Sequence, residues 1–186
     1  MNRKIAGLDP NHIMDQESFR IRRAESGDES LLLKIRLEAL SESPEAFGST
    51  IDRERARTPA DWQKWLSPSA TFVLETDTGP QGIVAGVPDA DDPAVVHLMA
   101  MWIHPALRGS GAASALVQSV LAWAQERGAS SVRLDVIEDN ERARRLYEKH
   151  GFRATGHINV RPRDGARELQ MERRVGAPTN EPANPI

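Results

Sequence analysis

The segment that decides the fold of this chain is Leu107-Arg108-Gly109-Ser110-Gly111-Ala112-Ala113-Ser114. It follows an apolar run that ends at Ile103-His104-Pro105, and it precedes an amphipathic pattern from Ala115 to about Arg127. A strand, a loop of small residues and a helix are therefore predicted in that order. Backbone N–H groups at the start of a helix have no partner within the helix, and the helix dipole adds about half a positive charge there. The segment therefore predicts an anion site that suits a diphosphate.

Individual residues of this segment also suit a phosphate ligand. Gly109 and Gly111 carry no Cβ, so the main chain can approach a phosphate closely, and Arg108 can donate a charge-assisted pair of hydrogen bonds. A nucleotide P-loop is excluded because no Gly-Lys-Ser/Thr follows, and the third glycine of a dinucleotide fingerprint is absent. A tight turn without a ligand is the alternative interpretation.

A second informative segment opens a later predicted helix, which runs from Glu141 to His150 and is ended by Gly151. Asn140, Ala143 and Tyr147 are spaced at i, i+3 and i+7, so they share one face. An amide can pair with other amides through a donor and an acceptor, and a phenol can donate a proton. This face predicts one wall of a ligand site, with a helix cap for Asn140 and a core position for Tyr147 as the alternatives.

Together, the two segments resemble the acyl-CoA-binding signature of the GNAT N-acetyltransferase superfamily. The residues that carry the resemblance are Arg108-Gly109-x-Gly111-x-Ala113 and Asn140-x-x-Ala143-x-x-Leu146-Tyr147-x-x-x-Gly151-Phe152. The upstream segment from Arg36 to Thr50 looks like a bacterial branch of the same superfamily, and Ala113 stands where many members have glycine. The resemblance extends over roughly residues 19 to 175.

The resemblance implies an enzyme that uses acetyl-CoA as co-substrate and acetylates a primary amine. Direct attack in a ternary complex is expected because the chain has no cysteine for an acyl-enzyme, and no metal is expected because the histidines show no metal-ligand spacing. Main-chain groups of the small-residue loop would hold the diphosphate, and those of the preceding strand would pair with the pantetheine amides. Asn140 would hold the pantetheine arm from the other side, and Tyr147 would protonate the leaving thiolate. The implied acetyl-CoA-binding residues are Met101, Trp102, Ile103, Arg108, Gly109, Ser110, Gly111, Ala112, Ala113, Ser114, Asn140, Ala143 and Tyr147.

The base that deprotonates the acceptor amine is left open by the sequence. His97 has a suitable intrinsic pKa, and its even spacing from Met101 and Ile103 predicts the same side of the strand. Glu138, near the end of the following strand, is the second candidate, and a structural role is the alternative for His97. Further carboxylates that stay open are Asp135, Glu42 and Glu45.

The order of predicted elements indicates an α/β (α+β) domain over residues 18–175, an acyl-CoA N-acyltransferase domain by the resemblance. The implied fold is GNAT-like, with a mixed, mostly antiparallel twisted sheet of six to seven strands flanked by about four helices. An opening between the fourth and fifth strands would admit the pantetheine arm. Residues 1–17 are predicted to be a disordered lead-in and residues 176–186 a flexible tail.

Two elements of this domain carry more detailed expectations. The helix from Asp28 to about Ser41 is predicted to place its leucines on one buried stripe, and these are Leu33, Leu37 and Leu40. The nearly unbroken apolar strand from Val95 to Ile103 is predicted to be buried on both faces.

Composition limits the partners of the chain. The 186 residues carry a net charge of −3 and include no cysteine. Disulfides, thiolate metal sites and a cysteine nucleophile are thus excluded, and no basic field for nucleic acid is expected. Because residues 1–18 lack the apolar core of a secretory signal and no run reaches transmembrane length, a cytoplasmic location without membrane contact is expected.

Three functional interpretations stay open at this point. The preferred one is an N-acetyltransferase that acts on a small amine or a peptide amine, with a homodimer left open. A non-catalytic acyl-CoA-binding sensor on the same fold is the second. A protein lysine or N-terminal acetyltransferase is the third, which a peptide-wide groove would favour and a pocket closed by Phe47, Trp62 and the last hairpin would oppose.

Overall fold

The computed structural model describes residues 19–176, which hold seven strands, five α-helices and two 3-10 turns. The elements in chain order are β1 (Arg20–Arg23), α1 (Glu29–Glu42), the turn Pro44–Ala46, α2 (Ile51–Arg55), α3 (Pro59–Leu66), β2 (Ala70–Thr76), β3 (Gly79–Pro88), β4 (Val95–Ile103), the turn Pro105–Leu107, α4 (Ala112–Glu126), β5 (Ser131–Ile137), α5 (Glu141–Lys149), β6 (Arg153–Val160) and β7 (Arg167–Arg174). The predictions for residues 1–17 and for the tail beyond Gly176 lie outside the described residues.

All seven strands form one sheet in the order β1-β2-β3-β4-β5-β7-β6. Only the β4–β5 pair is parallel among these strands, and the other five pairs are antiparallel. The predicted mixed, mostly antiparallel sheet is confirmed. Between residues 19 and 176, no helix is long and apolar enough to cross a membrane.

The two faces of the sheet have separate hydrophobic cores. On one face α4 packs on β3, β4 and β5 through residues such as Leu116, Val120 and Leu134. On the other face α1 and α3 cover β2 and β3 through residues such as Leu32 and Val73. The side chains of a strand alternate between these two faces, so the membership of each core tells which way a strand residue points.

α1 buries a different stripe from the predicted one. Leu40 is buried as expected, but Leu33 and Leu37 are only partly buried. Arg36 takes a core position because it donates to Glu54, itself fully buried, at 3.2 Å. A buried charge needs such a partner. With this ion pair in the core, the buried face of α1 includes Arg36 and differs from the face that the leucines indicate. The buried residues of α1 are Leu32, Ile35, Arg36, Ala39 and Leu40.

A bulge interrupts β4, which the sequence does not reveal. The register between β3 and β4 shifts between Ile83 and Ala85. Opposite this shift, Ala100 has a φ of 56°, a left-handed conformation that residues other than glycine rarely adopt. A bulge adds one residue to a strand, so the side chains beyond it change face.

The bulge overturns two predictions for β4. Leu98, Met101 and Ile103 belong to the core under α4 or pack against it, so His97 points to the opposite face from Met101 and Ile103. The expected common side is therefore wrong. Burial on both faces is also wrong, because the Met99 side chain is 42% exposed.

Candidate active site

The loop after β4 contains two glycines in left-handed conformations. We call residues 108–114 the anion loop. Gly109 has a φ of 94° and Gly111 a φ of 92°, and a Cβ at either position would meet no atom within 4 Å. The backbone conformation requires glycine at these positions. The space above both residues is open to a ligand.

The first turn of α4 provides unpaired hydrogen-bond donors. α4 begins at Ala112, three residues before the predicted start at Ala115, and its first backbone bond runs from the Ala115 N–H to the Gly111 carbonyl at 3.1 Å. The Ala112 N–H is capped by the Ser110 hydroxyl at 3.3 Å. Within the anion loop, four backbone N–H groups find no acceptor among residues 19–176: those of Gly109, Gly111, Ala113 and Ser114. These four donors, with the dipole of α4, make the loop suited to a diphosphate.

The side chain of Arg108 is held on the α1 side of the loop. Its guanidinium donates to Glu42 at 2.6 Å, and Glu42 also accepts from the Trp102 indole N–H at 3.2 Å. The hydrogen bond from Arg108 lowers the pKa of Glu42 to about 2. Glu42 is therefore a weak candidate for the base. Because the Arg108 side chain is paired with Glu42, the backbone N–H groups are the donors that the loop offers to a diphosphate.

β4 and β5 separate beyond their first residues. Val95, Val96 and His97 pair with Ser131–Arg133, whereas β4 continues to Ile103 and β5 to Ile137 without pairing to each other. The gap holds a cleft of about 210 Å³. The predicted opening between the fourth and fifth strands is confirmed. The bulge at Ala100 lies on the border of this cleft, beyond the last residue of β4 that pairs with β5.

The predicted face of α5 forms one wall of the cleft, with Asn140, Ala143 and Tyr147 all lining it. The Asn140 side-chain oxygen accepts from the Ala143 N–H at 3.1 Å, so Asn140 caps α5. Its amide N–H groups make no hydrogen bond within residues 19–176 and stay available to a ligand. Gly151 follows α5 with a φ of 79°, as the predicted helix end requires.

Tyr147 places a protonated phenol in this wall. Its side chain is 7% exposed, and its ring packs edge-on against Phe152 at 5.8 Å between centroids. Burial raises the pKa of the Tyr147 hydroxyl, because the charged form is poorly solvated there. The hydroxyl has no hydrogen-bond partner in the part of the chain that the structure describes. At neutral pH the phenol is therefore protonated, and its O–H is available to donate a hydrogen bond to a ligand.

Both base candidates from the sequence are already paired. His97 borders the cleft, but its Nε2 lies 2.7 Å from an Asp89 oxygen, and this hydrogen bond lowers the pKa of Asp89 to about 2. Glu138 accepts from Arg167 at 2.6 Å, which lowers the pKa of Glu138 and weakens it as a base. Glu138 does not line the cleft.

One carboxylate of the cleft was not among the residues predicted from the sequence. Glu168 of β7 borders the cleft, together with Asp135 of β5, which was among the open alternatives. Burial raises the pKa of Glu168, and Arg161 donates to its Oε1 at 3.2 Å. Alternation along β7 could have indicated that Glu168 shares a face with Gln170 and Glu172. Only the sheet order brings that face to the cleft.

The chain belongs to the GNAT acetyltransferase family, because the model of the Acetyltransferase (GNAT) family matches residues 36–152. That range includes the anion loop and α5. Among curated proteins, the mycothiol acetyltransferase of Rhodococcus erythropolis is 30% identical over 131 residues, which is 67% of this chain and 43% of that protein. The chain spans about half the length of this protein and of two further mycothiol acetyltransferases that it matches, from 43% to 50%.

Solved structures share the fold. A GNAT acetyltransferase of Streptococcus pneumoniae superposes with a TM-score of 0.73 at 23% identity, over 86% of this chain and 100% of that one. A Salmonella typhimurium protein solved with acetyl-CoA gives a TM-score of 0.70 at 18% identity, over 90% of this chain and 99% of that one. At these identities the likeness establishes the fold alone.

Proposed function

We propose that this protein transfers the acetyl group of acetyl-CoA to a primary amine. The observation that carries the proposal is the unpaired edge of β4, which leads from the cleft beside Tyr147 to the anion loop. Four free N–H groups and two glycines with open space fit a diphosphate. The Salmonella typhimurium protein of the same fold, solved with acetyl-CoA, supports this ligand.

Main-chain and side-chain groups of the cleft would orient the thioester. In the proposal, Met101 and Ile103 offer backbone groups on the free edge of β4 to the pantetheine amides. Asn140 offers its unpaired N–H groups from the α5 side. Holding the two reactants in one cleft converts the reaction into an intramolecular one, which is a large part of the rate enhancement.

Tyr147 would supply the proton that the departing sulfur needs. The amine nitrogen attacks the thioester carbon and forms the C–N bond, the C–S bond breaks, and the Tyr147 hydroxyl protonates the thiolate. The adduct nitrogen then loses a proton, which restores the phenol. A phenol with a reference pKa of about 10 gives its proton to a thiolate of about 8.5 at a cost of roughly 2 kcal/mol. Burial raises the pKa of both groups, so the same wall that weakens Tyr147 as an acid makes the thiolate a stronger base.

The acceptor side of the cleft favours a small amine. Phe47 and Gly48 border the cleft. Arg161, at the end of β6, donates to the Glu45 carbonyl at 2.8 Å and so ties the last hairpin to this segment. Trp62 lies in the core under α3 and does not border the cleft. A cleft of about 210 Å³ that this hairpin borders through Glu168 suits a single amine better than a long stretch of polypeptide.

A free-thiol assay tests the proposal. The full chain is incubated with acetyl-CoA and a panel of primary amines, while calorimetry measures acetyl-CoA binding. We expect binding and amine-dependent release of CoA thiol. Binding without thiol release on any amine would instead support an acyl-CoA sensor, and absence of binding would overturn the proposal.

A further inference from the structure

We propose that Glu168 binds the ammonium group of the acceptor and removes its proton before attack. This inference rests on the proposed N-acetyltransferase function and deepens it. It assigns the acceptor half of the cleft to a cationic amine, held by a carboxylate on β7.

The cleft opens on both faces of the sheet, and Glu168 lies on the face opposite to Tyr147. Leu134 and Met171 belong to the core under α4, which also contains Tyr147. By alternation, Asp135 next to Leu134 and Glu168, three residues before Met171, point to the other face. Both still border the cleft. If the thioester arm is held on the α5 side of the sheet, the acceptor amine enters the cleft from the opposite face, where Glu168 lies.

Glu168 combines access to the cleft with a free acceptor atom. Its side chain is 20% exposed, and its Oε1 accepts from Arg161 at 3.2 Å. Its Oε2 has no hydrogen-bond partner among residues 19–176. An alkylammonium group offers three donors and no acceptor, so an unpaired carboxylate oxygen at the cleft border is the group that it requires.

The surroundings of Glu168 favour proton uptake. Burial raises the pKa of Glu168, the charge of Arg161 just after β6 opposes this rise, and Asp135 on β5 and Asp164 in the last turn add to it. The segment around Glu45 contributes backbone carbonyls to this network, and His97 of β4 also borders the cleft. A carboxyl whose pKa moves toward neutral pH is a better general base than an ordinary surface glutamate.

Two arginines hold the hairpin that carries Glu168. Arg161 is 5% exposed and forms ion pairs with Asp164 and Glu168. Arg163 donates to two backbone carbonyls of the segment on the other side of the cleft, those of Pro44 and Ser49, at 3.1 and 2.9 Å. The carboxylate is thus positioned by a clamped turn. Arg161 acts as a positioning residue in this arrangement.

The proton steps balance with the proposed transfer. The Glu168 carboxylate takes one proton from the ammonium group and leaves a neutral amine with its lone pair free. That amine forms the C–N bond, and Glu168 returns its proton to solvent through the open face. Tyr147 protonates the departing sulfur from the other side of the sheet. The net reaction therefore releases one proton from the ammonium form of the acceptor.

The test compares Glu168→Gln with Glu172→Gln in the full chain, using the amine of the panel that gives the fastest thiol release. Glu172 lies on β7, points to the same face and pairs with Arg133, but does not border the cleft. We expect Glu168→Gln to lower kcat/KM for the amine about 100-fold or more at pH 7. We expect acetyl-CoA affinity within about twofold of wild type and Glu172→Gln near wild type.

The pH profile separates a base from a structural residue. In Glu168→Gln, the decrease in kcat/KM relative to wild type should become smaller as the pH rises toward the pKa of the amine itself, because more of the acceptor is then neutral. Glu168→Asp, which keeps the charge, should recover part of the activity and serves as the readout if the glutamine variant does not fold. A wild-type kcat/KM and pH profile in both Glu168 variants would overturn the inference. A wild-type protein that releases no thiol with any amine would overturn the proposed function instead.

Discussion

Substitution of Gly111 by alanine tests whether the main chain of the anion loop holds the diphosphate. Gly111 has a φ of 92° and Gly128, just past the other end of α4, has a φ of 77°. A Cβ at either position would meet no atom within 4 Å. The two glycines are therefore matched in backbone strain and in space, but only Gly111 lies in the proposed site.

The expected magnitudes follow from this geometry. A left-handed conformation costs an L-residue about 1–2 kcal/mol, so both variants should lose a similar free energy of unfolding. For a domain of this size, the melting temperature should fall by roughly 2–8 °C in each variant. If Gly111→Ala relaxes by turning one N–H away, it also loses one charge-assisted hydrogen bond of about 1.5–3 kcal/mol. Its Kd for CoA should then rise about 10- to 150-fold.

Calorimetry and thermal melts with and without CoA measure both effects on the same preparations. CoA should raise the melting temperature of Gly128→Ala as much as that of wild type, and that of Gly111→Ala much less. Equal CoA affinity in the two variants would refute the assignment of the diphosphate to the anion loop.

Three further substitutions test other parts of the account. Tyr147→Phe should lower kcat about 10²- to 10⁴-fold while the Kd for acetyl-CoA stays within about twofold; an unchanged kcat in the thiol-release assay would remove the proposed role of the hydroxyl. Asn140→Ser should keep the helix cap and the melting temperature but weaken CoA binding about 2- to 12-fold, whereas Asn140→Ala should also lose about 1 kcal/mol of stability; equal CoA affinity in wild type and both variants would assign Asn140 to capping alone. Glu54→Gln should lower the free energy of unfolding by about 3–5 kcal/mol in denaturant titrations, because it leaves the buried Arg36 and the neighbouring Arg57 without their shared carboxylate; a loss below about 1 kcal/mol would refute the stabilising role of this buried pair.

Local patterns predicted much of this structure. The small-residue loop, the shared face of Asn140 and Tyr147, and the helix end at Gly151 each depend on residues within a few positions of one another. Backbone conformation and helical spacing act over that range, so the sequence alone was sufficient. The gap between β4 and β5 came from the resemblance rather than from periodicity.

Features set by distant contacts could not be predicted. His97 lies on the opposite face from Met101 and Ile103 because of the bulge at Ala100, which lies beyond the last β4 residue that pairs with β5. The burial of Arg36 depends on Glu54, which lies in a later helix. Glu168 reaches the cleft because β7 pairs with β5 and because the last hairpin is clamped to the segment that follows α1. No spacing within a single element contains this information.

A crystal structure of the protein with CoA is the most direct test of the central claim. The account predicts diphosphate oxygens within hydrogen-bond distance of the Gly111 and Ala113 N–H groups, pantetheine in the gap between β4 and β5, and the sulfur beside the Tyr147 hydroxyl. A diphosphate held elsewhere on the protein, or a pantetheine arm outside the gap, would contradict it.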